Sequence, residues 1–462
     1  MAAGRVVKTR ADDYTEYKTE YKNIRRQFKK LIMDRKILEY YTAEMDEAVN
    51  RGIEENRKGR FFAVVRDKDG KPIKNATLKL KQKTHEFRFG ANIFMLDELP
   101  TDEKNAIYKE KFASLFNLAT LPFYWDALEP TPGHTRYAAD SEKIYRRPAP
   151  DRCIDFCKAH GIEPREHALC YDHFFPKWLR GKSDFEVKRA IVNRMREISE
   201  RYAGEIPTIE VTNESYWEKG VTDFYRSPEF VEWCFKTAEK FFPENKLCIN
   251  EWSEMWEGEG RCIDRYFMQV ENALLKGARI DAIGMQFHMF YREEEYYNRT
   301  RRQYDPERMT RVLDNFARLG KPIQITEITV PAFSDTEADE QLQADTIEKL
   351  YRLWFAHPAV EQIVYWNLAD GYAAFTTPGN MTEGENYYRG GLLRYDLSEK
   401  PAYKTLDRLI NHEWRTDTTV TTDENGFVVL NGFYGDYDLT LDGKTVSLPL
   451  VKNAVRNLDV KF

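Results

Sequence analysis

The sequence has little that would build a metal or redox site. Among its 462 residues are 6 cysteines and 8 histidines, and no two cysteines form a CxxC pair. Neither His-x-His nor HExxH occurs, so the familiar zinc-ligand spacings are absent. We therefore expect neither a metal nor any other cofactor.

Signatures of nucleotide, nucleic-acid and membrane binding are also missing. No P-loop occurs, and no GxGxxG follows the first strand of the central region. The formal net charge of −6 argues against nucleic acid as a partner, and no run is apolar enough to span a bilayer. Since no signal segment follows Met1, we expect a cytoplasmic location, with secretion as the alternative if the native chain begins differently.

Aromatic residues, in contrast, are abundant, with 28 Phe, 27 Tyr and 9 Trp. Most of them are expected to fill the core, and the remainder are candidates for stacking on sugar rings. The aromatic side chains beside predicted strand-end loops are Trp125, Tyr171, Trp178, Trp217, Trp252 and Trp256.

The two ends of the chain differ in pattern from its centre. Residues 1–58 predict a helical segment, because apolar residues recur there at helical spacing and proline is absent. Residues 59–86 and 415–462 predict short strands with turn signals such as Asp442-Gly443. Neither set is large enough to be stable alone, so we expect both to form one small β-sandwich-like domain.

Residues 87–414 alternate between predicted strands and amphipathic helices. This pattern is typical of an α/β protein, and eight such units predict a (β/α)₈ TIM barrel. A doubly wound sheet is the alternative. The predicted strands end near Phe94, Leu121, Leu169, Asn213, Asn250, Gln286, Thr326 and Trp366.

Two of these strand ends carry a glutamate. Glu214 follows the run 208–213, and Glu327 follows the run 323–326. In a parallel barrel both strands end at the same rim, so the two carboxyl groups are expected to face each other. Glycoside hydrolysis uses such a pair, with one carboxyl as proton donor and the other as nucleophile or base.

The motifs around these glutamates resemble those of glycoside hydrolase family 10, the retaining endo-β-1,4-xylanases of clan A. The resemblance covers roughly residues 85–412. The run Thr212-Asn213-Glu214 implies Glu214 as the acid/base, and the run Ile325-Thr326-Glu327 implies Glu327 as the nucleophile. The substrate-binding residues expected on the same basis are His167, Asn213, Gln286, His288, Trp366, Tyr171, Asp172, Trp125, Tyr124 and Asp370.

The departures from the family pattern concern the pocket for the non-reducing-side sugars. Thr120, Leu121 and Tyr124 stand where the family usually has Glu, Asn and Lys. In the third-strand motif, Tyr171 and Asp172 replace Trp and His. Thr329 replaces the aspartate that usually partners the histidine of strand six. The resemblance therefore implies conserved chemistry with a divergent glycone pocket.

The resulting hypothesis is a retaining glycoside hydrolase that cleaves β-glycosidic bonds in a xylan-like or related plant polysaccharide or oligosaccharide. Carbohydrate is the expected partner, and the sequence leaves the oligomeric state open. One alternative is an exo-acting clan A glycosidase on a decorated or uronic-acid-bearing oligosaccharide. Its carboxylate would meet Arg88, Arg165, Lys177 or Arg180. The other alternative is a non-catalytic carbohydrate-binding barrel.

Overall fold

The computed structural model describes residues 35–216, 220–258, 260, 261 and 263–462. Its strands are β1 Lys58–Arg66, β2 Thr77–Gln82, β3 Arg88–Asn92, β4 Leu118–Pro122, β5 Glu163–His167, β6 Thr208–Asn213, β7 Lys246–Glu251, β8 Ala282–His288, β9 Ile323–Thr329, β10 Val360–Tyr365, β11 Asp417–Thr421, β12 Phe427–Phe433, β13 Gly435–Leu441, β14 Lys444–Leu450 and β15 Asn457–Lys461.

The α-helices lie between and around these strands. They are α1 Ala43–Arg57, α2 Asp102–Leu115, α3 Trp125–Leu128, α4 Pro150–His160, α5 Asp184–Tyr202, α6 Phe230–Phe241, α7 Arg265–Leu275, α8 Tyr296–Thr300, α9 Pro306–Ala317, α10 Glu337–Ala356 and α11 Pro401–Asp407. Short 3₁₀ turns occur at Leu38–Tyr40, Asp172–Phe174, Lys177–Leu179, Phe224–Arg226, Ser253–Glu257 and Gly384–Tyr388, and a π-helical turn occurs at Arg408–Glu413.

Strands β3 to β10 form a closed parallel barrel, in which β10 returns to pair with β3. The predicted (β/α)₈ fold is confirmed, and the doubly wound alternative is excluded by this closure. Every residue of β6, β8 and β9 is buried, as expected for strands covered by helices outside and by packed side chains inside. Each predicted strand end lies within three residues of the observed one.

The helices begin where the sequence supplies caps. At the start of α5, the Ser183 side chain accepts from the backbone of Glu186, whose carboxylate accepts in return from the backbone of Ser183. At the start of α10, the Thr336 side chain accepts from the backbone of Asp339. These caps fix where each long helix leaves its loop, and so where the preceding strand-end loop must finish.

A small β-domain is built from both ends of the chain. Strand β1 pairs antiparallel with β12 and parallel with β15, while β2 lies between β11 and β13. The two sheets enclose their own core, which includes Phe61, Leu80, Leu430 and Tyr437. The predicted accessory domain is therefore confirmed, whereas its limits at residues 59–86 and 415–462 stay a prediction.

Helix α1 is the described part of the predicted N-terminal helical segment, and residues 1–34 lie outside the described residues. It packs on α10, where the Asn56 Nδ2 donates to the Ala356 carbonyl at 2.9 Å. Within the described ranges, no helix is long and apolar enough to cross a membrane. No group of His, Cys, Asp and Glu in the same ranges is arranged to hold a metal ion.

Candidate active site

Glu214 and Glu327 lie at the carboxyl-terminal rim of the barrel. Glu214 directly follows β6, and Glu327 lies inside β9, opposite Gln286 of β8. Their exposed fractions are 7% and 3%. Buried carboxylates need hydrogen-bond partners, and the neighbouring strands supply them.

A chain of side-chain amides joins the two carboxylates. Gln286 Nε2 donates to Glu214 Oε1 at 3.0 Å and lies 3.2 Å from Asn213 Oδ1. Asn250 Nδ2 lies 3.0 Å from the same Asn213 oxygen and 2.9 Å from Glu327 Oε1. A Cβ at Gly284 would stand 2.6 Å from Asn250 Oδ1, so this glycine makes room for the amide. We define the carboxylate centre as Glu210, Asn213, Glu214, Asn250, Gln286, His288 and Glu327.

The backbone at Glu214 is unusual for a residue with a side chain. Its φ is 49°, in the left-handed region that non-glycine residues seldom occupy. The Tyr225 hydroxyl donates to the Glu214 carbonyl at 2.5 Å, and the Tyr171 hydroxyl donates to Glu214 Oε2 at the same distance. Backbone strain held in place by such contacts is typical of functional positions.

His288 contacts Glu327 through one ring nitrogen and Thr329 through the other. Nε2 lies 3.0 Å from Glu327 Oε2, and Nδ1 lies 2.9 Å from Thr329 Oγ1. Burial lowers the pKa of His288 to about 4, so the ring is neutral near pH 7. A neutral ring that donates through Nε2 must accept at Nδ1, and a threonine hydroxyl can donate there whereas a carboxylate cannot.

His167 has an acidic neighbour that the sequence analysis missed. Its Nδ1 lies 2.8 Å from Glu210 Oε1 and 4.0 Å from Glu327 Oε1. Burial lowers the pKa of His167, but the Glu210 carboxylate outweighs burial, and the net pKa is raised. Glu210 also accepts from Arg165, and no motif marks it because it lies in the interior of β6.

The charges around Glu327 oppose one another. Burial raises its pKa, the positive charge of His167 lowers it, and the nearby Glu210 and Glu214 carboxylates raise it again. The net pKa of Glu327 lies well above its usual range. Ionisation of this buried carboxyl group is a condition for any nucleophilic role.

Aromatic side chains line the barrel rim beside the carboxylate centre. The Trp366 ring packs edge-on against Phe94, His167 and His288, with centroids 5.3–5.7 Å apart. The Tyr124 hydroxyl lies 3.1 Å from His167 Nε2, and the Tyr124 ring packs against Phe174 at 4.6 Å. The structure therefore brings Tyr124, Tyr171 and Trp366 to the predicted site. We define the aromatic cluster as Phe94, Tyr124, Ala127, Ile144, Tyr171, Phe174 and Trp366.

Three residues predicted to bind substrate make contacts with strand-end loops. Trp125 is buried against Phe175 and Trp178. The Asp172 carboxylate accepts from the Thr222 hydroxyl at 2.5 Å and from the Val221 backbone. Asp370 pairs with the buried Lys400 at 3.2 Å and accepts from the Gly391 backbone at 2.6 Å. These contacts anchor the loops, and substrate binding by the three residues stays a prediction.

The remaining candidates for stacking on sugar rings differ in burial and in contacts. Trp256 is buried and donates to the Gln286 carbonyl at 2.7 Å, and Trp178 donates to the Glu129 carbonyl at 3.0 Å. Trp252 is half-buried, with its ring centroid 5.4 Å from that of His288, so it lies beside the carboxylate centre. Trp217 lies outside the described residues.

The basic residues suggested for a uronic-acid substrate are spread over different parts of the barrel. Arg88 pairs with Glu163 at the opposite end of the barrel. Arg165 is fully buried against Glu210 inside the barrel. Lys177 and Arg180 are exposed on the loop after β5.

Comparison with known families shows which family this chain belongs to. The model of glycosyl hydrolase family 10 matches residues 79–408, more than half of the sequence. The chain belongs to glycosyl hydrolase family 10. The matched region contains the whole barrel, including all residues of the carboxylate centre.

Curated relatives of this family 10 chain are distant and longer. The anti-sigma-I factor RsgI6 of Acetivibrio thermocellus is 26% identical, over 86% of this chain and 46% of its own length. Endo-1,4-beta-xylanase 2 of Arabidopsis thaliana is 23% identical, over 85% of this chain and 33% of its own length. The chain therefore spans less than half the length of these relatives.

Solved structures support the family 10 fold. Xylanase 10B from Thermotoga maritima superposes with a TM-score of 0.56, at 21% identity, over 71% of this chain and 96% of its own. Xylanase 10B from Thermotoga petrophila, solved in complex with xylobiose, gives 0.57 at 21% identity, over 71% of this chain and 95% of its own. The β-domain strands β11 to β15 lie beyond the region matched by the family model.

Proposed function

We propose that this protein is a retaining glycoside hydrolase that cleaves β-glycosidic bonds in a xylan-like or related glycan. The observation that carries the proposal is the pair of buried carboxylates, Glu214 and Glu327, joined through the amides of Gln286, Asn213 and Asn250. Membership of family 10 supports the same chemistry. Two carboxyl groups in one cleft are the requirement for acid-assisted displacement at an anomeric carbon.

In the first step, the Glu327 carboxylate attacks the anomeric carbon. The glycosidic C–O bond breaks as Glu214 protonates the leaving oxygen, and a covalent glycosyl-enzyme forms. Asn250 and His288 donate to the two oxygens of Glu327 in the free enzyme and keep the attacking oxygen oriented. Attack requires the ionised form of Glu327, whose pKa is raised by burial.

In the second step, water attacks the glycosyl-enzyme. Glu214, now ionised, takes the proton from that water, and the bond between the sugar and Glu327 breaks with net retention at the anomeric carbon. Tyr171 and Gln286 hold the Glu214 carboxylate for both proton transfers. The active site regains its starting protonation when the product leaves.

The test is hydrolysis of xylo-oligosaccharides and a panel of aryl β-glycosides, with NMR detection of the first anomer released. Retention is expected, and Glu327→Gln and Glu214→Gln are each expected to lower turnover. Glu163→Gln is the matched control, because Glu163 begins β5 at the other end of the barrel. An inverted product, or full activity in Glu327→Gln, would contradict the proposal. Binding without any hydrolysis across the panel would favour the non-catalytic barrel instead.

A further inference from the structure

Two consecutive arginines pack against the aromatic cluster. Arg146 and Arg147 come just before α4, and the backbone at Arg146 has a φ of 61°. This turn directs both side chains to the same ring, with guanidinium carbons 5.4 Å and 5.8 Å from the centroid of Phe94. The sequence analysis missed them, since a loop of this composition reveals neither the turn nor its direction.

Arg147 lies close to the carboxylate centre. Its guanidinium carbon is 3.8 Å from the centroid of the Tyr124 ring and 5.7 Å from that of Phe174. The hydroxyl of the same Tyr124 lies 3.1 Å from His167 Nε2, and His167 lies 4.0 Å from Glu327. One aromatic ring and one imidazole therefore separate this cation from the proposed nucleophile.

The positive charge of this pair is poorly balanced. Arg146 and Arg147 have exposed fractions of 3% and 9%, and no carboxylate in the described part of the chain lies within 4.0 Å of either. Arg147 donates to the Arg146 carbonyl at 3.0 Å, and Arg146 donates to Asn367 Oδ1 at 3.0 Å and to the Tyr372 carbonyl. Buried cations are normally paired, because the loss of hydration is otherwise uncompensated.

The nearby acids reach the pair only indirectly. Glu385 accepts from Asn367 Nδ2 at 3.2 Å, so an amide separates it from Arg146. Asp126 acts on Arg147 through space without an ion pair. Burial lowers the pKa of Arg147, and the adjacent charge of Arg146 lowers it further. An anion bound beside the two guanidinium groups would relieve both effects.

We infer that Arg147, supported by Arg146, binds the carboxylate of a uronic acid residue carried by the glycan at the cleavage site. The inference rests on the proposed function, since it names the class of substrate for the same site. A guanidinium matches a carboxylate with two parallel hydrogen bonds, and the surrounding rings suit the apolar face of a sugar. Phe375, which is exposed and stacks on Phe174 at 6.1 Å, extends this surface outward.

The experiment compares two ligands that differ only in the carboxylate. A xylo-oligosaccharide bearing glucuronic acid and its carboxyl-reduced counterpart are titrated calorimetrically into Glu327→Gln, which is not expected to turn them over. We expect the acidic sugar to bind about 100-fold more tightly, in line with sites built around a specific polar group. Equal affinities for the two sugars would overturn the inference.

Variants then locate the carboxylate. In the Glu327→Gln background, Arg147→Gln should reduce the ratio of the two affinities to about one. Arg147→Lys should retain part of the preference, because the positive charge remains without the planar guanidinium that binds a carboxylate through two hydrogen bonds. Arg189→Gln is the control, since Arg189 is an exposed arginine on α5. A preference that survives in folded Arg147→Gln would overturn the assignment. If that variant does not fold, Arg147→Lys and the two-ligand comparison carry the decision.

The readout separates this inference from the proposed function. Binding is measured without turnover, so an enzyme that hydrolyses neutral xylo-oligosaccharides yet shows no preference retains the proposed function and loses the carboxylate site. A protein that prefers the acidic sugar but hydrolyses nothing retains the carboxylate site and loses the proposed function. Glycans with uronic acid at different positions, compared in the same titration, then show which sugar unit carries the recognised carboxylate.

Discussion

The carboxylate centre and the aromatic cluster are neighbours that are built in different ways. In the carboxylate centre, Gln286 donates to Glu214, whereas Asn250 and His288 contact the two oxygens of Glu327, and all three partners lie on barrel strands. In the aromatic cluster, two arginines lie among rings, with carbonyl and amide oxygens as their acceptors. Strands fix the first region and loops fix the second, so the site can keep one chemistry while it changes its sugar.

The largest expected effect separates the two acids within the carboxylate centre. Glu327→Ala should lower kcat by more than ~10³-fold for every substrate, whereas Glu214→Ala should lose ~10²–10⁴-fold on poor leaving groups and much less on activated aryl glycosides. Azide should rescue both variants, with an α-glycosyl azide from Glu327→Ala and a β-glycosyl azide from Glu214→Ala. NMR of the azide products is the measurement. Azides of the reverse configuration would exchange the two roles.

A second prediction tests whether the amide chain matters to the chemistry. Asn250→Ala removes a donor from Glu327 and breaks the link to Asn213, so kcat/KM should fall about 100-fold. The measurement is steady-state kinetics beside the thermal unfolding midpoint. A loss of stability with unchanged kcat/KM in the folded fraction would show that Asn250 only supports the barrel.

A third prediction concerns the threonine that contacts His288. Thr329→Val removes the hydroxyl that donates to Nδ1, so the imidazole loses its preferred tautomer and kcat should fall about tenfold. Thr329→Ser should restore most of the activity because it keeps the hydroxyl. Equal kinetics for the Val and Ser variants would contradict this role.

A fourth prediction follows from the raised pKa of Glu327. Since attack requires the ionised form, activity should be lost as the pH falls through this raised pKa. The acid limb of the kcat/KM profile should therefore lie above the ordinary glutamate value of about 4.3. A profile that stays flat below pH 4 would be inconsistent with this reasoning.

The smallest expected effect on chemistry comes from the loop anchors. Asp370→Asn leaves Lys400 buried without its partner, which should cost about 3–5 kcal/mol of stability. Turnover by the folded fraction should change little, because Asp370 is engaged by Lys400 and Gly391 rather than by the carboxylate centre. Thermal unfolding and active-site titration measure the two quantities separately. A selective loss of kcat at full stability would return Asp370 to the list of substrate contacts.

The sequence predicts the barrel and the strand-borne part of the site well. The alternation of predicted strands and helices, together with the strand-end motifs, indicates Glu214, Gln286 and Glu327, because the last residues of parallel strands lie at the same rim of the barrel. Glu210 escapes notice since the interior of a strand has no motif of its own, and Asn250 is marked only as a predicted strand end. Their importance depends on the register between neighbouring strands, which positions Asn250 beside Asn213.

The loop-borne residues are where sequence reasoning ends. Asp172 and Asp370 stand at strand ends in the pattern, yet the following loops turn their carboxylates inward to backbone and side-chain donors. Arg146 and Arg147 contact the aromatic cluster because the backbone at Arg146 is left-handed. Such a backbone angle is decided by tertiary contacts, and the residues before α4 do not reveal it.

The pairing of β1 with β15 has a consequence for folding during synthesis on the ribosome. Phe62 lies opposite Asn457, so β1 leaves the ribosome long before its parallel partner exists. At ~5–20 residues per second, the delay is roughly 20–80 s. During that time β1 lacks its parallel partner. The small domain can be completed only after the barrel between its two halves has been made.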